Sequence, residues 1–234
     1  MIGLVCGGAG ATAAVAAGWA VRGRSSAVFA PSVYRGATDR RSIALTFDDG
    51  PSESTPELLR ILAGHSARAT FFQCGAHVVR LPEVARAVSE AGHEIGNHTH
   101  THPHLWLRNA AFIAEEVGLA QEALERVHGT EPRLFRAPYG VRWPGLRNAQ
   151  AQHRLLGVMW TTIALDWKLP AGRIVSRLLR NRGSGAIFCL HDGRRMQPQP
   201  DIESTVESVR RLLPLLLEDG YRLETVSEIL CPKT

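Results

Sequence analysis

From Ser42 onward the chain alternates two kinds of apolar pattern. Short β-branched or aromatic runs occur at Ile43–Phe47, Ala69–Gln73, Glu94–Gly96, Leu134–Arg136, Val158–Ile163, Ala186–Leu190 and Tyr221–Glu224. Between them lie longer segments with apolar residues three and four apart: Pro56–Ala63, Pro82–Ala91, Ala110–Val127, Arg173–Arg180 and Glu203–Glu218. The first set predicts strands and the second helices. Pro82 opens its segment as a first-turn proline, and Gly92 follows its end. Strand–helix alternation at this spacing implies a parallel sheet. Seven such units predict a single α/β domain in the form of a closed or nearly closed barrel, with a doubly wound open sheet as the second choice.

The first 41 residues break the pattern. No charge occurs from Ile2 to Val21, about the length of a membrane span, but Ala and Gly dominate and no basic stretch precedes it. The run is expected to act as an export signal or weak anchor, touching a membrane through residues 2–21; a mis-assigned start or a flexible leader is the alternative. The expected location is then outside the cytoplasm, secreted or anchored, with the cytoplasm as the alternative, since Arg22 and Arg24 taken alone would hold that end inside. Residues 22–41 read as a linker, so the division is 1–41, leader and linker, and 42–230, the folded body.

Composition adds little. At 234 residues and 44% hydrophobic, the chain can bury a sizeable core. The net charge of +5 and a pI near 9.4 invite a nucleic-acid partner. However, residues 1–42 hold five arginines against Asp39 alone, which leaves the body near neutral and argues against specific nucleic-acid binding. Cys6, Cys74, Cys189 and Cys231 include no C-x-x-C pair, so a cysteine zinc site is disfavoured; Cys74 and Cys189 read as buried free thiols. The chain reads as a monomer.

In a barrel, chemistry collects where strands end at their carboxyl side. The first strand runs into Asp48-Asp49-Gly50-Pro51, either a turn or a pair of working carboxylates. The third is followed by His98, His100, His102 and His104, four of the chain's ten histidines. Two imidazoles and a carboxylate form a first-row metal site, typically for Zn²⁺, with Co²⁺, Ni²⁺ or Mn²⁺ able to replace it. A helical turn would put His98 and His102 on one face; an extended chain would align His98, His100 and His102. Spacing leaves both open, and Pro103 favours the turn. Later strands end at Arg136-Ala137-Pro138-Tyr139-Gly140, Asp166-Trp167 and Leu190-His191-Asp192.

Taken in order, Thr46–Pro51, His98-x-x-x-His102, Arg136-x-Pro138-x-Gly140, Asp166-Trp167 and Leu190-His191 resemble the five motifs of the polysaccharide deacetylase family, carbohydrate esterase family 4, also called the nodulation-protein-B homology domain. The resemblance extends from about Ser42 to Leu230. It implies a distorted (β/α)₇ barrel, a divalent metal and removal of acetyl groups from N-acetylated sugars in a polysaccharide or oligosaccharide. It makes Asp49, His98 and His102 the metal ligands, Asp48 the general base, Arg136 its electrostatic partner and His191 the general acid. Tyr139 would offer its backbone N–H to the oxyanion, and Trp167 and Leu190 would wall the acetyl pocket. Many relatives carry an Asp three residues before the Asp-Trp pair, where this chain has Ile163. Asp166 is then the one carboxylate in that motif able to orient Arg136 or His191. The competing functions are an O-acetyl xylan esterase or cyclic-amide hydrolase on the same fold, and a catalytically inactive sugar-binding module.

Overall fold

β2 (Ser42–Asp48) is buried along its whole length, and its side chains divide by parity. Ile43, Leu45 and Phe47 pack with Leu58, Leu62, Ile174, Leu178 and Leu212 of the surrounding helices, whereas Ala44 joins Phe72, Leu134, Val158 and Ile187 in an inner cluster. A strand with apolar neighbours on both faces must belong to a sheet wrapped in helices. Each fully buried Leu, Ile or Phe there stabilises the fold by about 1.5–3 kcal/mol.

The computed structural model describes residues 3–231. The remaining barrel strands are β3 (Thr70–Gln73), β4 (Glu94–Asn97), β5 (Leu134–Phe135), β6 (Leu156–Val158), β7 (Thr162–Ile163) and β8 (Ala186–His191). β1 (Ser32–Val33) and β9 (Arg222–Leu223) complete the sheet, whose order is β1-β6-β5-β4-β3-β2-β8-β7 with β9 on the lower end of β2. Every pairing is parallel. The helices are α1 (Gly3–Arg22), α2 (Thr55–Gly64), α3 (Gly75–Arg80), α4 (Pro82–Glu90), α5 (Ala110–His128), α6 (Leu146–Gln152), α7 (Ala171–Arg180), α8 (Glu203–Glu218) and α9 (Val226–Leu230). The fold is a curled open parallel sheet flanked by helices, a distorted (β/α)₇ barrel.

The distortion sits at one seam. The expected strand Val158–Ile163 is two strands: β6 pairs with β5 on one lip, and β7 pairs with β8 on the other. Met159, Trp160 and Thr161 cross between the lips, and the N–H groups of Met159 and Thr161 find substitutes for a ladder. Met159 donates to Val33 O (2.7 Å) and Thr161 to Ile187 O (2.9 Å). Arg136, reaching through the barrel, donates to the carbonyls of Val158 (3.1 Å) and Met159 (3.3 Å). Unpaired backbone groups in a buried seam are costly, and this arginine satisfies two of them.

The segment read as a linker lies on the body. β1 pairs with β6, Ala30 and Ser26 are fully buried, and Arg40 forms an ion pair with Glu224 at 2.9 Å. Arg142 donates through its backbone to Val21 O and through its guanidinium to the carbonyls of Gly23 and Ser26. A linker pattern of Gly, Ser and Pro therefore marks an irregular path here, and the carbonyls it leaves free are taken up by arginines of the body. The charge-free run read from Ile2 begins outside the described residues; from Gly3 it is α1. Among the described residues, no helix is long and apolar enough to cross a membrane.

Candidate active site

β2 ends by placing two consecutive carboxylates in different environments. Asp48, the last strand residue, follows Ala44 and Thr46 on the inner face and is in register with His191 of β8. Asp49 turns out of the strand at φ 72°. Left-handed backbone at a non-glycine residue is held only by the surrounding structure. Gly50 follows because a Cβ there would run into the carboxylate of Asp192. Asp192 is buried beneath the loop, accepts from Thr55 Oγ1 at 2.7 Å, and has its pKa pushed up to about 7 by burial.

His98 follows β4 directly, but residues 98–104 form neither the expected turn of helix nor an extended strand. The loop folds on its own polar side chains: Thr99 N–H donates to Asn97 Oδ1 (2.9 Å), and His102 N–H to Thr99 Oγ1 (3.2 Å). Thr99 and His102 adopt φ of 66° and 54°. Short polar side chains compete with regular backbone pairing in this way. Two helices then clamp the loop. The first N–H groups of α3, which lack partners within the helix, donate to Thr99 O and His100 O (both 3.0 Å). Glu116 of α5 accepts from His100 N (3.0 Å), Thr101 N (2.8 Å) and Thr101 Oγ1 (2.7 Å). The result keeps His98 and His102 together, ring centroids 5.0 Å apart, and carries His100 away against Gly75.

Asp49, His98 and His102 converge with their ligand atoms within 4.8 Å of one another. Asp49 Oδ1 lies 3.0 Å from His102 Nε2 and 3.3 Å from His98 Nε2. All three side chains are buried. His98 Nδ1 faces the carbonyl of Arg136 at 2.7 Å. A carbonyl only accepts, so Nδ1 carries the proton and a neutral ring turns its Nε2 lone pair toward a carboxylate oxygen. That arrangement is repulsive unless a cation lies between them. Asp49 Oδ2 is occupied by the N–H of Arg195 (2.8 Å), whereas the buried Oδ1 has no hydrogen-bond partner. Two imidazole nitrogens and one orphaned carboxylate oxygen form a divalent-metal cluster.

Asp48 faces a different partner. Its Oδ1 accepts from Arg136 Nη1 at 2.6 Å, and Cys189 Sγ lies 3.4 Å from Oδ2. The same Nη1 donates to Thr46 Oγ1 (2.6 Å), which donates onward to Phe188 O (2.7 Å). Asp48, Cys189 and His191 could by spacing hold a second ion, but Arg136 already supplies the cation at Asp48. Asp166 does not reach Arg136: it accepts from His191 Nδ1 (2.8 Å), His191 N (2.8 Å) and Thr205 Oγ1 (2.7 Å). Desolvation opposes charge on the buried His191, yet Asp166 outweighs it and the pKa is raised to about 9. With Ile163 in place of a carboxylate, Arg136 is held by Asp48, Thr46 and seam carbonyls, and Asp166 serves His191.

These groups open into a cavity of about 430 Å³. Trp167 lines it, half-exposed, its ring edge-on to His191 at 5.0 Å. Tyr139 sits at φ 57° in the turn Pro138–Gly140, with its ring stacked on His104 at 3.7 Å. Leu190 does not line the cavity. Strand parity sends Cys189 and His191 inward, whereas Leu190 joins Phe188 in the cluster beneath the helices. Ala137, Trp160 and Ile163 supply the apolar wall instead. Sequence reasoning also missed Thr46, Thr205, Glu116 and Arg195, of which only Thr46 carried a signal, being two residues before Asp48 on the same strand face. Arg22, from the supposed leader, lines the same cavity.

The polysaccharide deacetylase family model matches residues 35–158. A chitooligosaccharide deacetylase from a Bradyrhizobium strain is 35% identical over 205 residues, covering 84% of this chain and 94% of its own. A peptidoglycan-N-acetylglucosamine deacetylase from Bacillus cereus is 30% identical over 195 residues, 82% of this chain and 70% of the relative. Among solved structures, the Bc1960 peptidoglycan N-acetylglucosamine deacetylase superposes with TM-score 0.78 at 29% identity, covering 84% of this chain and 91% of that one. A pseudoenzyme of carbohydrate esterase family 4 from Bacillus anthracis also gives 0.78, at 26% identity and coverage of 87% and 70%. With the five motifs gathered at one end of a (β/α)₇ barrel around a carboxylate and two imidazoles, this chain belongs to the polysaccharide deacetylase family.

Proposed function

We propose that the protein is a metal-dependent N-deacetylase that hydrolyses the acetamide of GlcNAc units in a peptidoglycan- or chitin-type glycan. The observation carrying this reading is the separation of two adjacent carboxylates: Asp49 faces two imidazoles, and Asp48 faces a guanidinium. Asp49, His98 and His102 would hold the ion, and the mixed N and O donor set suits Zn²⁺, with Co²⁺, Ni²⁺ or Mn²⁺ as substitutes. A divalent ion at such a site polarises a carbonyl and acidifies water.

The chain's own groups supply the rest. Asp48, held through Oδ1 by Arg136, takes the proton of the attacking water at Oδ2, where the Cys189 thiol is a weak and displaceable donor. The backbone N–H of Tyr139 is assigned to the oxyanion that develops on the acetyl carbonyl. His191, protonated at neutral pH and fixed at Nδ1 by Asp166, delivers a proton from Nε2 to the departing amine. Trp167, Trp160 and Ile163 exclude water around the acetyl methyl. The pseudoenzyme's likeness makes an inactive module the natural rival, and the presence of Asp48, Asp49, His98, His102, Arg136 and His191 together favours turnover. A glycan of the wall or of chitin type lies outside the cytoplasm, and α1 would hold the barrel near it. Acetate release from chitooligosaccharide, peptidoglycan and acetylated xylan, with chelator and with added metal, tests the reading. Release from xylan alone would transfer it to the ester hydrolase.

A further inference from the structure

The cavity is completed by a piece of chain outside the barrel. Arg22, the last residue of α1, lines it together with Asp48, His191 and Trp160. A second hollow of about 350 Å³ lies over the β6–β7 seam and shares Arg22, Trp160 and Ile163 with the first. Arg24 and Arg177 line this second hollow. Their positions are fixed by the seam's own carbonyls: Arg24 Nη1 donates to Thr161 O, and Arg177 Nε to Ile163 O at 2.7 Å. The Val21–Ser26 segment is held by the buried Arg142, and Ser26 Oγ donates to Ala20 O at 3.0 Å. Among the described residues, no ion pair joins Arg22, Arg24 or Arg177 to a carboxylate, and Asp39, the nearest acid in sequence to the first two, pairs with Arg40.

A guanidinium presents five N–H donors in a planar fork suited to a carboxylate. Arg24 and Arg177 each commit one donor to a seam carbonyl, and among the described residues the Arg22 guanidinium commits none. Three cations thus share one groove that opens into the cavity where the acetamide is cleaved. We propose that this groove recognises a carboxylate on the substrate close to the acetylated sugar. Arg22 and Arg24 are then specificity-determining residues, and the favoured substrates are acetylated glycans bearing carboxylates, over neutral ones. The inference rests on the deacetylase reading for the chemistry, but the groove itself is a binding claim that can be measured apart from turnover.

The test compares the full chain with R22A/R24A, neither side chain being buried, on three ligands: peptide-free peptidoglycan strands, the same strands with carboxyls methyl-esterified, and chitohexaose. Calorimetric affinity and steady-state acetate release are read for each. Wild type is expected to bind the carboxylated strand about tenfold more tightly than the esterified strand, the scale of one well-placed charge-assisted hydrogen bond. R22A/R24A should erase that difference through a raised KM on the carboxylated strand, and raised salt should shrink it in the wild type. Equal affinity of wild type for the carboxylated and esterified strands would overturn the groove even if both were deacetylated. Selective binding of the carboxylated strand without acetate release from any ligand would uphold the groove and overturn the deacetylase reading. A loss in R22A/R24A that is equal on all three ligands would mean that the segment only shapes the cavity, and would also overturn the proposal.

Discussion

Asp48 and Asp49 are joined by one peptide bond, yet their carboxylates engage groups of different chemistry: Arg136 Nη1 at 2.6 Å for the first, and the Nε2 atoms of His102 and His98 at 3.0 and 3.3 Å for the second. The divergence comes from the backbone. Asp48 keeps strand geometry and points into the barrel, and Asp49 at φ 72° turns its carboxylate toward the β4 loop. Asp48→Asn is therefore expected to keep its metal and lose most turnover, on the order of 10²–10⁴-fold for a lost general base. Asp49→Asn should lose the metal. Metal analysis of both purified variants checks this; equal metal loss in the two would contradict the division of roles.

The β4 loop separates its histidines as sharply. His98→Ala and His102→Ala should each abolish tight metal binding, since few ligands hold the ion. His100→Ala should leave metal content nearly unchanged, because the loop is anchored through the backbone N–H of His100 and not through its ring. His104→Ala, which removes a ring stacked on Tyr139, should alter substrate affinity and not metal content. Bound metal per chain across the four variants decides the assignment.

His191 gives a pH dependence with a definite sign. Its pKa is raised to about 9, Asp166 outweighing burial, so the acid form persists at neutrality and amide cleavage should fall as pH rises through about 9. Asp166→Asn should move that alkaline limb down by about one to three units. The same linkage stabilises the fold: it is fully present below the unfolded value near 6.5 and is lost as pH rises through the folded value. His191→Ala should slow amide cleavage far more than cleavage of nitrophenyl acetate, whose leaving group needs no proton. A pH–rate profile and the two-substrate comparison check these outcomes.

Arg136 is fully buried and satisfies both Asp48 and the seam carbonyls. Arg136→Leu leaves a buried carboxylate unpaired and should destabilise the protein by about 3–5 kcal/mol, measured by urea unfolding. Unfolding unchanged from wild type would show that the seam does not depend on it.

The N-terminal segment divides at Trp19. Removal of residues 1–18 should leave a folded enzyme. Removal of 1–41 should not, because it takes away β1 and Ala30 and leaves the Arg142 guanidinium without the Gly23 and Ser26 carbonyls. Thermal unfolding of the two truncations separates the cases; a stable, active protein lacking 1–41 would contradict the packing argument.

Much of this was legible in the chain. Six of the seven expected strands and all five expected helices fall within a few residues of where apolar periodicity put them, because each buries a regular face. What was missed has local causes. Val158–Ile163 reads as one apolar run, and nothing in its composition marks that Trp160 crosses a seam. Leu190 was placed in the pocket by motif, although alternation from His191 already assigns it to the other face. The histidine loop is set by the side-chain oxygens of Asn97 and Thr99, which compete with both regular alternatives. Residues 22–41 carry no periodicity, and their docking depends on Arg142, more than a hundred residues away.

The most direct measurement titrates Zn²⁺ into chelator-stripped protein while following acetate released from an N-acetylglucosamine oligomer. The account requires acetate release to rise with bound metal and saturate at one ion per chain, with Asp48→Asn binding the same single ion in silence. Turnover in the metal-free protein, or full activity in Asp48→Asn, would contradict it.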